Sequence, residues 1–202
     1  LFLFCSETLS ATYLAAVKDR LYCDAADSDR RRRTQTVLYD TAHALIRMLA
    51  PILVHTADEA WLALHGEELS SERCVHLEAL PEPATVEADA GWARAMELRD
   101  DVLRELERSK ESLGISNPLD AGIEAAVSAD DLEALRPFEP EMADLAGVSR
   151  FSLVRADAPR VKVIDLREEP RCERSWKRDG TVRERADGGQ LSDRDAAVLG
   201  VE

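Results

Sequence analysis

Apolar residues recur at helical spacing through the first part of this chain, and this periodicity limits it to a mainly helical fold. The pattern predicts two amphipathic helices over about 1–22 and 29–50. A shorter third helix follows, since Thr56 and Glu59 have the spacing of a capping box that satisfies free backbone N–H groups. Gly66 is the residue type that ends a helix. Aromatic residues make up only 5% of the chain, which also favours helix over sheet.

The pattern changes further along the chain. A fourth helix is predicted over about 89–112, and Ser128 is placed to cap a short fifth one. Alternating apolar residues then predict strands at about 148–154 and 161–166, after a short apolar run at 123–127. The order indicates a helical bundle, a small α+β module and a charged tail. The predicted boundaries are 1–114, 115–166 and 167–202.

Charge and cysteine content narrow the function classes. The net charge of −14 repels nucleic acid at long range unless positive charge is concentrated locally. The four cysteines form no closely spaced pair, which indicates a reducing compartment, the cytoplasm, rather than a disulfide framework. Neither a signal peptide nor an 18-residue apolar run is present, so we expect no membrane association.

Three segments carry a resemblance to a known family. Residues 9–24 contain the pattern LSA-YL--VKDRLY, residues 32–40 contain QT-LY, and residues 49–61 contain LAPIL--TA-E-W. In this order they resemble the anticodon-binding domain of bacterial-type isoleucyl-tRNA synthetases. The resemblance implies a C-terminal region in which an anticodon-binding helical bundle is followed by a small α+β module and a degenerate zinc-ribbon-like tail.

The tail departs from the family at its metal ligands. Such synthetases end in a zinc knuckle with a pattern like C-x-R-C-W followed by L-C-x-R-C-A. Here only Cys172 keeps a cysteine, while Ser175, Ser192 and Asp195 occupy the other three ligand positions. A serine hydroxyl stays protonated at neutral pH and is a poor zinc ligand. We therefore predict that this tail binds no structural zinc.

Several cations and one aromatic residue are candidates for contact with tRNA. The plainer interpretation of Lys18 and Arg20 is a solvated helix end, that of the arginines at 30–33 is a solvated charge run, and that of Trp176 is a core residue of the knuckle. A guanidinium beside a flat ring suits unstacked bases, and clustered arginines suit phosphate. The candidates are Lys18 and Arg20, the cluster Arg30, Arg31, Arg32 and Arg33, and the pair Arg174 and Trp176.

No catalytic motif accompanies these candidates. The chain has no HIGH-like or KMSKS-like sequence, no phosphate-binding loop and no nucleophile elbow. The resemblance implies that ATP, magnesium and L-isoleucine belong to the whole enzyme, and that this part needs no cofactor. Its expected partners are tRNA and the catalytic body of the same polypeptide, in a monomer.

Two alternatives remain open from the sequence. One is the tail of a valyl- or leucyl-type synthetase, which shares the bundle but not the knuckle spacing. The other is a helical protein-interaction module that has lost RNA binding, in which case an exposed apolar surface would replace the basic one.

Overall fold

The computed structural model describes residues 1–68, 72–83, 85–87 and 89–201, and the chain divides into two compact units. One, the core unit, combines Leu1–Ala25 with Ala88–Glu202; the other, the helical unit, is Ala26–Glu87. The core unit is therefore built from two separate stretches of the chain. Among the described residues, no helix has both the length and the apolar character needed to span a bilayer.

The helical unit contains helices α2 (Asp29–Leu49) and α3 (Val54–His65). The Ser28 hydroxyl begins α2 by accepting a hydrogen bond from the backbone N–H of Arg31 at 3.1 Å. Gly66 ends α3 in the left-handed conformation, with a φ of 69°. Both helices, and the glycine that ends the second, are confirmed.

The start of α3 differs from the prediction. Thr56 and Glu59 form no capping box, because α3 begins at Val54 and no side chain caps it. The chain turns directly after Pro51, and the N–H of Ala57 already donates to the carbonyl of residue 53 at 2.8 Å. Helical hydrogen bonding is thus under way before Thr56 is reached.

A small apolar cluster holds the helical unit together. It consists of Ala50, Ala57, Trp61 and Val75, all buried. Val75 begins a 3₁₀ turn, Val75–Leu77, and packs against α3. The prediction that Trp61 is a core residue is confirmed.

Two helices of the core unit come from its two separate stretches. A π-helical segment, Phe4–Leu14, continues into α1 (Ala15–Cys23). The longest helix, α4 (Ala90–Leu113), begins where the Asp89 carboxylate accepts a hydrogen bond from a backbone N–H three residues on. It ends at Gly114, which has a φ of 65°, as the sequence predicted.

A three-stranded sheet follows α4. Its strands are β1 (Ala121–Val127), β2 (Arg150–Arg155) and β3 (Arg160–Asp165), in the spatial order β2-β1-β3. β1 is parallel to β2 and antiparallel to β3. The crossover from β1 to β2 contains two helices, α5 (Ala129–Leu135) and α6 (Glu139–Ala146). Both predicted strands are confirmed, and the apolar run before them forms the central strand.

The apolar face of α4 packs on this sheet. Ala95, Leu98 and Val102 are buried in one cluster with Ile123 of β1. The contacts therefore place α4 with the sheet rather than with α2 and α3, while the predicted three-domain division stays a prediction. Trp92 was expected in the core, but it is 43% exposed, and its ring lies 5.9 Å from that of Phe138, which packs against this cluster.

The charged tail forms a small ordered substructure. A two-stranded ladder, β4 (Arg183–Glu184) with β5 (Gln190–Leu191), leads into α7 (Asp193–Leu199). Its own apolar cluster is Cys172, Val182, Leu191 and Ala196. The chain is thus mainly helical with a small sheet, which confirms the predicted fold class at that level.

Candidate nucleic-acid interface

A cleft of about 500 Å³ lies in the core unit, between α1, the end of α6 and a loop of the tail. We call it the α1–tail cleft. Lys18 and Tyr22 line it from α1, and residues 174–177 line it from the tail. It therefore joins residues that are about 150 positions apart in the sequence.

Helix α1 turns two polar-tipped side chains toward this cleft. Lys18 and Tyr22 are one helical turn apart and so share a face. Val17, which does not line the cleft, is 3% exposed. Tyr22 is 71% exposed and Lys18 is also exposed, so both reach solvent from a well-packed helix.

Trp176 presents its ring at the rim of the cleft. The loop closes through two backbone hydrogen bonds of 2.9 Å, from Trp176 N–H to the Cys172 carbonyl and from Cys172 N–H to the Lys177 carbonyl. Trp176 is 53% exposed, and the guanidinium carbon of Arg171 lies 4.9 Å from the centre of its ring. The interpretation of Trp176 as a knuckle core residue is therefore wrong.

The backbone of Trp176 is strained. Its φ of 64° lies in the left-handed region, and no other non-glycine residue of the described chain has a positive φ. This conformation costs a bulky residue about 1–2 kcal/mol and persists only where the surrounding structure enforces it. The ring is not part of the buried Cys172 cluster, so the strained residue is also an exposed one.

Ion pairs attach the tail to α1. Arg194 donates to both carboxylate oxygens of Asp19, at 2.5 and 3.1 Å. Lys177 bridges Asp19 and Asp144, at 3.4 and 2.5 Å. Burial raises the pKa of Asp19, but hydrogen bonds and charge from Arg194 and Lys177 outweigh it and leave that pKa below its ordinary value. The acids beneath the cleft are thus neutralised by cations of the tail.

Arg174 binds the end of α1. Its guanidinium donates to the carbonyl oxygens of Tyr22 at 3.1 Å and Cys23 at 3.5 Å, where the helix leaves carbonyls without an intrahelical partner. A cation at a helix C-terminus also opposes the helix dipole favourably. Burial raises the pKa of the Cys23 thiol, so that cysteine stays protonated and unreactive at neutral pH.

Three of the four positions of the degenerate knuckle form a hydrogen-bonded cluster around the Asp195 carboxylate, while the buried hydroxyl of the fourth, Ser175, has no hydrogen-bond partner among the described residues. One carboxylate oxygen of Asp195 accepts hydrogen bonds from the Cys172 thiol and the Ser192 hydroxyl, both at 3.0 Å. All three residues are at most 1% exposed. Burial raises the pKa of Asp195, but hydrogen bonds from Cys172 and Ser192 and the positive charge of Arg194 outweigh burial, so this pKa lies below its ordinary value.

This donor set does not fit zinc. The two serine hydroxyls are poor zinc ligands, and the Cys172 thiol already donates a hydrogen bond to the Asp195 carboxylate. The carboxylate also lies 3.3 Å from Arg194 and 3.7 Å from Arg174. The positive charges of these two arginines balance its negative charge in place of a metal ion.

The predicted tRNA-contact residues fall into three groups. Lys18, Arg174 and Trp176 line the α1–tail cleft. Arg20 does not: its guanidinium pairs with Glu141 and Asp144 of α6. The four clustered arginines belong to the helical unit, in the first turns of α2, where Arg30 and Arg31 are half-buried and Arg32 and Arg33 exposed.

Sequence reasoning missed one residue of this region. Lys177 joins the tail to α1 and α6 and lies next to the exposed ring of Trp176. No sequence signal identified it, since it lies outside the knuckle spacing and its partners are distant in the chain.

Comparison with known proteins gives the family of this chain. The family model described as the anticodon-binding domain of tRNA ligase matches residues 1–126. The chain belongs to this family. Its helices α1 to α4 and most of β1 lie within the matched part of the anticodon-binding domain.

Similar proteins extend the likeness beyond the matched family domain. The isoleucine–tRNA ligase of Moorella thermoacetica is 35% identical over an alignment of 213 positions, which covers 97% of this chain and 23% of that protein. Those of Geobacillus kaustophilus and Bacillus mycoides are also 35% identical and cover 86% and 97% of this chain. The chain spans about a quarter of the length of these relatives or less. The predicted resemblance to isoleucine enzymes is confirmed, and it includes the tail.

Proposed function

We propose that this chain is the C-terminal tRNA-binding part of an isoleucine–tRNA ligase and that it positions tRNA without holding a catalytic site. The observation that carries the proposal is Trp176, an exposed ring in a strained conformation at the rim of a cleft that also contains Lys18. The isoleucine–tRNA ligases that resemble the chain along 97% of its length support isoleucine over valine or leucine.

The contact is proposed to work mainly by stacking. An unstacked anticodon base would lie against the Trp176 ring, and Lys18 would approach the adjoining phosphate. Arg174 acts here as a positioning residue, since its guanidinium holds the end of α1 against the loop that carries Trp176. Because the acids of the cleft are already paired with cations, they oppose phosphate less than the net charge of −14 suggests.

Holding the anticodon end of a rigid L-shaped RNA would place its acceptor end at a distant active site, which is a contribution of proximity. The catalytic body of the same polypeptide would hold that active site and use ATP, magnesium and L-isoleucine. We place the whole enzyme in the cytoplasm, as a monomer. The arginine cluster at the start of α2 is proposed as a second phosphate contact, through Arg32 and Arg33, the two exposed members.

We also propose that the tail holds no structural zinc and that the Asp195 carboxylate takes its place as the centre of the knuckle. Supporting this are the two 3.0 Å hydrogen bonds to Asp195 and the hydroxyls at two of the four ligand positions. Replacing Cys172 by Ala should therefore leave the zinc content of the purified chain unchanged. A stoichiometric loss of zinc in that variant would overturn this part of the proposal.

Binding to an isoleucine tRNA transcript tests the tRNA-positioning function. Trp176→Ala should weaken binding by about 5- to 150-fold, since stacking one base on an aromatic ring contributes about 1–3 kcal/mol. Trp92→Ala is the matched control, because that ring is also half exposed but lies on α4 away from the cleft. A transcript with a changed anticodon should bind the unmodified chain more weakly by a similar factor.

Salt dependence separates stacking from charge. Between about 50 and 200 mM salt, binding should weaken by about 20- to 40-fold, because the three proposed phosphate contacts, Lys18, Arg32 and Arg33, give a slope of about −2 to −3, whereas stacking adds no salt dependence. If Trp176→Ala and Trp92→Ala bind equally well, or if the changed anticodon makes no difference, the cleft is not the anticodon contact. The module that has lost RNA binding would then be the better interpretation.

A further inference from the structure

Three side chains of the helical unit bring metal-binding donor atoms together. Asp58 lies on α3, Cys74 immediately precedes the 3₁₀ turn, and His76 is in its middle. One carboxylate oxygen, the thiol sulfur and one imidazole nitrogen all lie within 4.8 Å of one another. The spacing of these residues in the sequence does not predict the cluster, because Asp58 is 16 residues from Cys74.

The fold holds this turn in place independently of any metal. Val75, between the two loop residues, is 2% exposed and packs with Ala57 and Trp61. Its N–H donates to one oxygen of Asp58 at 3.0 Å. Cys74 and His76 therefore emerge on either side of an anchored residue, next to the carboxylate that anchors it.

The hydrogen bonds of the cluster leave the required lone pairs available. The Nε2 of His76 lies 3.2 Å from the carbonyl oxygen of Val54. A carbonyl can only accept, so Nε2 carries the proton and Nδ1 keeps its lone pair. Metal-binding histidines commonly donate their other N–H to a carbonyl in this way. Asp58 uses one oxygen for Val75 and has the other free in geometry to bind a cation.

We propose that Asp58, Cys74 and His76 bind a divalent transition-metal ion of the zinc type. One sulfur, one nitrogen and one oxygen donor suit zinc and exclude calcium and magnesium, which prefer oxygen alone. Ionised thiolate and carboxylate together balance the two positive charges of the ion. Bonds of about 2.0–2.3 Å place tetrahedral ligands about 3.5 Å apart, so the donor atoms need to close by about 1 Å.

The fourth coordination position would be held by water, since His76 is exposed and the cluster opens to solvent. The ion would clamp the 3₁₀ turn to α3 and reinforce the small core around Trp61. This site is separate from the degenerate knuckle and uses none of its residues. It is independent of the proposed function, because tRNA binding at the α1–tail cleft requires no metal.

Cobalt(II) is the probe, because a cobalt–thiolate bond gives a near-ultraviolet charge-transfer band and tetrahedral cobalt gives intense visible bands. We expect the full chain to bind one cobalt ion with both signals, and zinc to displace it. Cys74→Ser should abolish the charge-transfer band. Cys5→Ser is the matched control, since Cys5 is equally a half-exposed free thiol. Cys172→Ser tests the tail and should leave the band intact.

The other two ligands have their own variants. Asp58→Asn keeps an acceptor for the Val75 N–H, and His76→Gln lies at an exposed position, so neither should unfold the chain. Each should weaken cobalt binding by more than about tenfold, since even groups that only support a ligand contribute about 10- to 100-fold. Circular dichroism checks that helix content is kept.

Three results would overturn the proposal. These are no charge-transfer band at a several-fold excess of cobalt, a band that survives Cys74→Ser, and a band that disappears with Cys172→Ser while Cys74→Ser keeps it. The last would move the metal to the tail and would contradict the zinc-free knuckle as well.

Discussion

Replacing the buried carboxylate of Asp195 by an amide is the sharpest perturbation of the tail. Asp195→Asn keeps the shape of the side chain and removes its charge. The Cys172 thiol and the Ser192 hydroxyl then donate to a neutral oxygen. A hydrogen bond to a charged group contributes about 1.5–3 kcal/mol and a neutral one about 0.5–1.5, so weakening two costs about 2 kcal/mol.

The cations add to this cost. Arg194 and Arg174 would each lose a carboxylate partner, although Arg194 keeps its pair with Asp19. We therefore expect a total loss of about 3 kcal/mol for local opening of the tail, below the 3–5 kcal/mol seen when a buried pair loses one partner outright.

Hydrogen exchange measures this loss where it occurs. The N–H groups of Cys172 and Trp176, which close the loop, should exchange about 100-fold faster in the variant, because about 1.4 kcal/mol corresponds to a factor of ten. Asp157→Asn, at an exposed position between β2 and β3, is the control for removing one negative charge. Exchange within about threefold of the unmodified chain would refute the central role of the carboxylate.

The same carboxylate sets a pH dependence. The pKa of Asp195 is lower in the folded chain than in the unfolded one, so its stabilisation is fully present above the unfolded value of about 3.9. As the pH falls below that value, toward the lower folded pKa, the stabilisation is lost. Tail protection should thus be flat from neutral pH to about 5 and fall below about 4, and Asp195→Asn should flatten the fall.

Three further substitutions test the local structure, each by the free energy of unfolding. Gly91→Ala should destabilise the chain by about 1–3 kcal/mol, because the added Cβ would lie 2.8 Å from a ring carbon of Phe138; equal stability would mean that the ring moves freely. Ser128→Ala should cost about 1 kcal/mol by removing the cap of α5, measured against Ser116→Ala. Trp176→Gly should be about 1 kcal/mol more stable than Trp176→Ala, unless the left-handed backbone relaxes.

Helix ends that depend on local chemistry could be predicted from the sequence. Gly66, Gly114 and Ser128 act through their own backbone or side chain, so their neighbours in sequence are sufficient to identify them. The packing partner of α4 could not be predicted, because the apolar face of one helix does not specify which other apolar face covers it. β1 was equally hard to assign, since a strand buried on both faces shows no alternation.

The candidate site divides along the same line. Lys18, Arg174 and Trp176 were found from residue type and from resemblance, and the structure brings these three to one cleft. The exposed position of Trp176 was not foreseen, and neither was its left-handed backbone, which tryptophan rarely adopts. The role of Lys177 depends on carboxylates 33 and 158 positions away, as its partners Asp144 and Asp19 show, and no local pattern encodes such pairs.

The pair between Asp19 and Arg194 spans 175 positions, and this separation has a consequence for synthesis. A ribosome adds about 5–20 residues per second, so α1 waits about 9–35 s before the arginine that binds it exists. During that interval the Asp19 side of α1 lacks its tail partners, whereas the sequence of the helical unit is complete at residue 87, well before Arg194 is added. The core unit is therefore expected to fold later and more slowly than the helical unit, and its folding is expected to depend more on chaperones.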